Sequence, residues 1–377
     1  MNKLLTQEQL DLVDLVAEFG KNEVDPVSAE CDRSGEFPWE VYRKAFDMGL
    51  HMMDIPYELG GAGIDFETSL ILTEELAKYD AGFATSVGAV GLAAKAVIMG
   101  RNPELVKKFA DIVLPGKFAA FCLTEPNAGS DASATKTTAV LDGDEWVLNG
   151  RKCFITNGGV SGVYIVFAMT DPAKGTRGIS AFLVESDREG LSSGKEEDKM
   201  GIRLSNTSDV VLENVRVPKE NLIGKEGMGF PIAMLTLDRA RPVAAAAAVG
   251  IAQRAIDECV AYMKQRKTFG RPIAKHQALQ FKLADMEISC EVARQYVRHV
   301  ARLVDADKPY SEEAAICKTF ASDAAMKITV EAVQIFAGYG YSREYPVEKL
   351  MRDAKIFQIF EGTNEIQRMV IAGQVLK

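Results

Sequence analysis

Residues 135–156, TKTTAVLDGDEWVLNGRKCFIT, decide the architecture of this chain. Thr135 to Leu141 alternates apolar and polar residues, Asp142-Gly143-Asp144 supplies a turn, and Trp146 to Leu148 resumes the apolar pattern, the signature of a β-hairpin. The runs around it are also strand-like: Phe118 to Leu123, Lys152 to Thr156, Val163 to Met169, Ile179 to Val184 and Val210 to Val217. Asp-Pro and Asn-Gly type breaks separate several of them. This middle part reads as antiparallel β, a barrel or a sandwich.

Working outward, both flanks follow the helical period. On the N-terminal side, Thr6 and Gln9 fit a capping box, and the helix they open is expected to stop before Pro26. Further helical patterns begin near Pro38 and run over Phe66–Lys78, Ala84–Ile98 and Glu104–Ile112; residues 54–65 form a glycine- and proline-rich loop. On the C-terminal side the helical period returns from Phe230, and 240–265, Gln277–Asp305, Ser311–Gly338 and Pro346–Ile359 are long and periodic. Helices of that length extend some 40 Å, and three or four of them predict a four-helix bundle. The expected architecture is α+β in three domains: helical 1–117, antiparallel β 118–228, and bundle 229–377.

The chain has 377 residues, 47% hydrophobic and 26% charged, the composition of a soluble globular protein. A net charge of -9 argues against nucleic acid or an anionic membrane surface as the main partner. Cys31, Cys122, Cys153, Cys259, Cys290 and Cys317 show no Cys-x-x-Cys pair, which points away from a zinc site or disulfide framework and toward a reducing compartment. His51, His276 and His299 form no metal motif. The opening MNKLLTQEQLDLVDLV lacks the apolar core of a signal peptide, and no apolar run approaches the ~18 residues of a membrane span. The expectation is a cytoplasmic protein.

No Gly-x-Gly-x-x-Gly follows a strand and no P-loop occurs, so a dinucleotide must be held in another way. Five stretches carry candidate chemistry. In 351–368, MRDAKIFQIFEGTNEIQR, an apolar run ends at Glu361 beside Phe360 and Gly362. Desolvation there would raise the carboxyl toward the range of a general base; a helix end capped by Thr363 or Asn364 is the plainer alternative. In 121–131, FCLTEPNAGSD, a strand runs into a turn with exposed hydroxyls that suit the rim of a flat heteroaromatic ring, or simply form a turn. In 151–159, RKCFITNGG, Phe154 and Thr156 sit two apart and share a strand face, a pairing that suits a flavin. RKTFGR at 266–271 offers a phosphate site at Arg266, or a solvated helix end. GYGY at 338–341 allows close approach to a pyrophosphate, or stops a helix. Asp238, Arg239 and Arg241 form a charge cluster near the start of the bundle.

Six motifs together, LTEPNAGSD, FITNGG, LDRARPVAAAAAVGIAQRAIDE, RKTFGRPIAKHQALQFKLADM, QIFAGYGY and YPVEKLMRDAKIFQIFEGTNEIQR, resemble the acyl-CoA dehydrogenase family. They occur in the family's order and span essentially the whole chain, most like its short- and medium-chain, butyryl-CoA dehydrogenase-like branch. The resemblance implies the α–β–α fold read above, an FAD cofactor, an acyl-CoA substrate, a homotetramer built as a dimer of dimers, and an electron-transferring flavoprotein as acceptor. It implies that Glu361 removes the α-proton of the thioester while a hydride leaves the β-carbon for flavin N5, giving a trans-2-enoyl-CoA. The flavin ribityl hydroxyl and the Glu361 backbone N–H would bind the thioester carbonyl.

By the same resemblance, Phe121, Cys122, Leu123, Thr124, Ser130, Phe154, Ile155 and Thr156 belong to the flavin region. Arg266, Phe269, Gln277, Gln334, Ile335, Ala337 and Gly338 would hold the adenine-diphosphate part, partly across a subunit interface. Thr363 and Glu365 match further FAD positions. Ser130, Asp238, Arg241 and Gly362 match substrate-binding positions. Phe360 stands where a tyrosine is frequent, and Ala240 stands where other branches place their base. The small residues of VGAVGL at 87–92 would leave room for a branched, cyclic or aromatic acyl group. Alternatives are an enoyl-CoA reductase working in reverse, an oxidase using O2, or a non-catalytic acyl-CoA- and flavin-binding protein.

Overall fold

The computed structural model describes residues 5–53 and 55–377; the first four residues of the N-terminal stretch and Asp54 of the 54–65 loop lie outside the described residues. Helix α1 (Gln7–Phe19) starts at the expected capping box, Thr6 Oγ1 accepting from the Gln9 N–H at 3.2 Å and Gln9 Oε1 from the Thr6 N–H at 3.1 Å. α1 ends at Phe19, but the helical backbone does not stop before Pro26. A π-turn over Gly20–Val24 leads directly into α2 (Asp25–Ser34), with Pro26 in its first turn. Proline there sacrifices no helical hydrogen bond. Gly20 is needed for the passage, because a Cβ at this position would lie 2.1 Å from the Tyr79 ring.

Next come α3 (Trp39–Asp47), α4 (Phe66–Tyr79), α5 (Ala81–Met99) and α6 (Pro103–Val113). Asp80 caps α5, its carboxylate accepting from the Phe83 N–H at 2.8 Å. Contrary to the expectation from sequence, α5 is 19 residues long and apolar enough, by length and composition, to cross a membrane. Yet 67% of that window is buried inside the protein, as for a core helix.

The middle of the chain gives β1 (Phe118–Cys122), β2 (Thr138–Asp142), β3 (Glu145–Thr156), β4 (Ser161–Met169), β5 (Ile179–Glu185), β6 (Leu191–Glu196), β7 (Thr207–Pro218) and β8 (Leu222–Ile223). The hairpin forms in the expected place: Leu141 pairs with Trp146 and Asp142 with Glu145, and Gly143 takes φ +64° in the turn. The sheet differs from the expected antiparallel barrel. Its order is β6-β7-β3-β2-β4-β5-β8, with no pairing of β6 to β8 among the described residues. β1 also lies parallel to β4, Phe121 opposite Ile165. The β2–β3 hairpin between them supplies the long crossover that parallel strands require. The short edge strands β6 and β8 are absent from the sequence reading. β6, LSSGKE, is mostly exposed and has no apolar face to announce it.

The bundle opens at Gly229. α7 (Gly229–Gln265) has 37 residues, about 55 Å at the helical rise. After a small hairpin of β9 (Lys267–Thr268) and β10 (Arg271–Pro272) come α8 (Gln277–Asp305), α9 (Ser311–Phe336), α10 (Val347–Ile356) and α11 (Asn364–Val375). α7, α8 and α9 pack on one another; α10 lies on α7 and α9, and α11 on α9. Small residues let α7 run close to its neighbours: a Cβ at Gly250 would lie 2.3 Å from the Glu74 carbonyl of α4. Arg294 is fully buried between these helices, donating to Glu74 at 2.7 Å and to Gln253 at 2.6 Å. Buried in this way, a charge is tolerated because it is paired and hydrogen-bonded.

Candidate active site

Glu361 sits in the sharp turn between α10 and α11. The apolar run that leads to it is only partly helical: α10 ends at Ile356, and Phe357 to Phe360 form turns that set two aromatic rings edge to face, their centroids 4.9 Å apart. Glu361 itself takes φ +54°, a strained value for a residue with a side chain, and Gly362 follows at φ +85°. A Cβ at Gly362 would fall 2.6 Å from Gln367 Nε2, so this position must be glycine for two reasons. Thr363, not Asn364, caps α11, accepting from the Ile366 N–H at 3.3 Å. Burial pushes the Glu361 carboxyl above its ordinary value, against the pull of the Lys318 and Arg241 charges. The Glu361 backbone N–H finds no acceptor among the described residues.

Two buried side chains that sequence reasoning missed hold this turn. Gln367, fully buried on α11, donates to the carbonyls of Glu361 and Gly362, each at 3.0 Å. Lys318, fully buried on α9, donates to the Gly362 carbonyl and to Asn364 Oδ1, each at 2.8 Å. Asn364 is fixed in turn by Ser322 at 2.9 Å and Asp323 at 2.8 Å. From α7, Arg241 faces the same region, buried and ion-paired with Asp238. Its Nε has no partner, which leaves a donor for a bound acceptor. Ala240 is buried beside it and offers no acid.

The two hydroxyl-bearing turns of the β domain are brought together. The Cys153 N–H donates to the Thr124 carbonyl at 3.0 Å, and Lys152 Nζ to the Leu123 carbonyl at 3.0 Å. Thr124 and Thr156 are half-buried, their hydroxyls without partners among the described residues; Phe121 is half-buried, Cys122 and Ile155 are core, and Ser130 is exposed. The strand that carries Phe154 and Thr156 is bulged, with the core residue Ile155 between them. The register shifts between Lys152 and Ile155, and Phe154 takes φ +55° at this bulge, leaving its ring 67% exposed. The turn joins the rest of the site through α5: Asn157 Nδ2 donates to the Ser86 carbonyl at 2.9 Å, and Gly88 lies against Val243 of α7, two residues from Arg241. An exposed aromatic ring with free hydroxyls at a strand end fits a flat heteroaromatic cofactor.

Beneath these turns lies another feature invisible in the sequence. Lys152 is fully buried and paired with Glu125 at 2.8 Å. Glu125 also accepts from the Thr135 hydroxyl, the Lys136 N–H at 2.7 Å and the Thr137 N–H at 3.0 Å. Burial alone would raise the Glu125 carboxyl, but the Lys152 charge and these hydrogen bonds hold it down at about 2. Its stabilising contribution is therefore complete above pH ~4.5 and is lost as pH falls through about 2. Glu125→Gln is expected to lower unfolding stability by roughly 3 kcal/mol at pH 7 and to converge with the unsubstituted protein near pH 2, read by denaturant titration across pH.

The remaining predicted cofactor residues lie elsewhere. Arg266 ends α7, 25 residues from Arg241 and about 37 Å along the helix. Its guanidinium lies 5.3 Å from the Tyr339 ring centroid. Phe269 and Gly270, both at positive φ, form the two-residue turn between β9 and β10, which leaves Phe269 95% exposed. Gln277 and Gln334 are exposed at the same end, as are Ala337, at φ +53°, and Gly338; Ile335 is core. Thr363 is half-buried beside Glu361, and Glu365 is exposed on α11. One chain thus gathers Glu361, Gly362, Asp238 and Arg241 at one end of the bundle and the Arg266 group at the other.

Comparisons with known proteins agree with this fold. The N-terminal, middle and C-terminal domains of acyl-CoA dehydrogenases match residues 6–116, 120–215 and 227–376. The short-chain specific acyl-CoA dehydrogenase of Clostridium acetobutylicum is 48% identical over 99% of both chains. The structure of butyryl-CoA dehydrogenase from Megasphaera elsdenii superposes over the full length of both chains with a TM-score of 0.97 at 46% identity. A chain from a structural study of the electron transferring flavoprotein of Acidaminococcus fermentans matches equally well, TM-score 0.97 at 47% identity over both full lengths. With a helical N-terminal part, a β middle, a helical C-terminal part and a desolvated acid in its final turn, the chain belongs to the acyl-CoA dehydrogenase family of flavoprotein oxidoreductases.

Proposed function

We propose that this protein dehydrogenates a short-chain acyl-CoA to the trans-2-enoyl-CoA, with Glu361 as the base that takes the α-proton. The observation that carries the proposal is the Glu361 carboxyl itself: burial raises its proton affinity, while Lys318 and Arg241 keep the carboxylate attainable. The α-proton of a thioester is weakly acidic, so removing it also requires stabilising negative charge on the carbonyl. The unpaired N–H of Glu361 is the protein's donor for that charge, and it is oriented by the same strained turn. FAD, when bound, supplies the acceptor for the hydride from the β-carbon. Thr124, Thr156 and the exposed Phe154 would hold its ring; Ser130, Asp238 and Arg241 would position the CoA thioester. Reoxidation by an electron-transferring flavoprotein is supported by the structural likeness to the Acidaminococcus fermentans chain.

The Arg266 group lies about 37 Å along α7 from Arg241, at the far end of the bundle from Glu361, which supports delivery of this group to the cofactor of a second copy. On α8, Phe281, Ile288 and Val292 repeat at helical spacing and are all more than half exposed, an apolar face suited to a dimer within a homotetramer. A short acyl chain is supported by the likeness to relatives named short-chain specific acyl-CoA dehydrogenases. A Cβ at Gly88 of α5 would meet Val243 at 3.8 Å, an ordinary contact, so the small residues of this helix leave some room beside α7. Anaerobic bleaching of the flavin should be fastest with butyryl-CoA in a panel of straight, branched, cyclic and aromatic acyl-CoAs. A higher kcat/KM for a C8, branched or aromatic thioester would reject the short-chain assignment.

A further inference from the structure

We infer that Lys318 is a positioning residue for the proposed base: its ammonium group pins the Glu361–Asn364 turn and, through its charge, sets the pH at which Glu361 becomes a carboxylate. The inference rests on the reading of Glu361 as base. Its geometry is specific. Lys318 Nζ is fully buried and reaches both sides of the turn, the Gly362 carbonyl and Asn364 Oδ1, at 2.8 Å. Glu361 could relax from φ +54° if that clamp were absent. A buried ammonium with only neutral acceptors must find its countercharge nearby. The charges facing Lys318 are Glu361 in the turn, Asp323 on its own helix, Glu365 on α11 and the opposing Arg241 on α7. Those acting on Glu361 are Lys318 and Arg241.

Burial lowers the Lys318 pKa to about 8, so the clamp is charged below that pH and weakens above it. Removing the positive charge leaves the Glu361 carboxylate with one less cation, and its proton affinity rises further. The acid limb of substrate-driven flavin reduction must then move to higher pH. Donation to the two oxygens and the charge can be separated by substitution: Lys318→Gln keeps a donor of shorter reach without charge, and Lys318→Met removes both.

The test measures stopped-flow flavin reduction by butyryl-CoA against pH, together with amide hydrogen exchange of the 357–368 segment with and without FAD. Lys318→Met is expected to reduce flavin roughly 10-fold or more slowly at pH 7, with the acid limb displaced upward and faster exchange at 361–364. Lys318→Gln is expected to show the same displacement with smaller gain in exchange. If Lys318→Met does not fold, Lys318→Gln and Asn364→Ala decide the matter. An acid limb and exchange rates coincident with the unsubstituted protein in the folded variants would overturn the role. Glu361→Gln in parallel separates the two readings: if it retained reduction, the base assignment would fail, while the exchange data would still decide the clamp.

Discussion

Glu361→Gln is expected to slow flavin reduction by butyryl-CoA by roughly 10²- to 10⁴-fold, the range spanned by loss of a positioned general base, with FAD still bound. Glutamine has the shape of the acid but cannot take a proton at neutral pH. The turn itself should survive, because its clamps act on backbone atoms: Gln367 and Lys318 bond the Glu361 and Gly362 carbonyls rather than the carboxylate. The same substitution carries a second expectation with a defined sign. A carboxyl whose folded pKa is raised by burial destabilises the protein as pH rises from its unfolded value through its folded one. At pH 7 Glu361→Gln removes that cost, so the variant should be at least as stable as the unsubstituted protein, with the difference closing at low pH. Loss of reduction, retained flavin and equal or higher stability together mark a residue kept for chemistry rather than for the fold. A variant that still reduced its flavin at near the original rate would refute the assignment.

How far the sequence could be read depended on whether a feature had a period. The hairpin, the long bundle helices and the capping box at Thr6 all follow from local patterns and recur in the structure. The helix stop at Pro26 failed because proline breaks a helix only in its interior, and a π-turn placed it in a first turn instead. The closed antiparallel barrel failed because alternation identifies strands without giving their partners; the parallel pairing of β1 with β4 is a long-range fact. At Phe154 a bulge with positive φ interrupts β3, and no local pattern announces it.

Within the site, Glu361 was legible because a lone acid interrupts an apolar run before a glycine. Its supports were not. Lys318 does carry a faint signal: Ala314, Lys318, Ala321 and Ala325 fall on one helical stripe, and the other three are buried small residues. A lysine on such a stripe must have buried partners, but only the fold reveals that they are Gly362 and Asn364. Glu125 and Lys152 were missed because each lies in a stretch already explained as a turn or a strand. Their pairing spans 27 positions, beyond any local window.

Lys349→Met is expected to be among the most destabilising single substitutions in the chain. Lys349 lies on α10, the helix that leads into the Glu361 turn, and its side chain is only 10% exposed. Its ammonium bonds Asp80 and Asp353, each at 2.7 Å. Those two acids have further duties. Asp80 caps α5 through the Phe83 N–H and accepts from the Ser28 hydroxyl at 2.7 Å; Asp353 accepts from the Ile202 N–H at 2.6 Å in the β domain. One lysine thus joins the N-terminal helices, the β domain and the C-terminal helices. Burial disfavours its charge, but Asp353 and Asp80 outweigh that and raise its pKa, so it remains charged at neutral pH. Methionine would fill most of the volume and leave two acids buried without their cation. Breaking a buried pair from one side costs about 3–5 kcal/mol, because the orphaned charge keeps its desolvation penalty. For a chain of this size that is a fall of roughly 5 °C in the thermal midpoint, measurable by calorimetry of the FAD-loaded protein. The triple substitution Lys349→Met, Asp80→Asn, Asp353→Asn should recover much of the loss, since both acids become neutral while each asparagine keeps an acceptor for the backbone N–H it now receives. If the single variant melted with the unsubstituted protein, the interdomain junction would have to be held elsewhere, as in the pair that Arg352 of the same helix makes with Asp32.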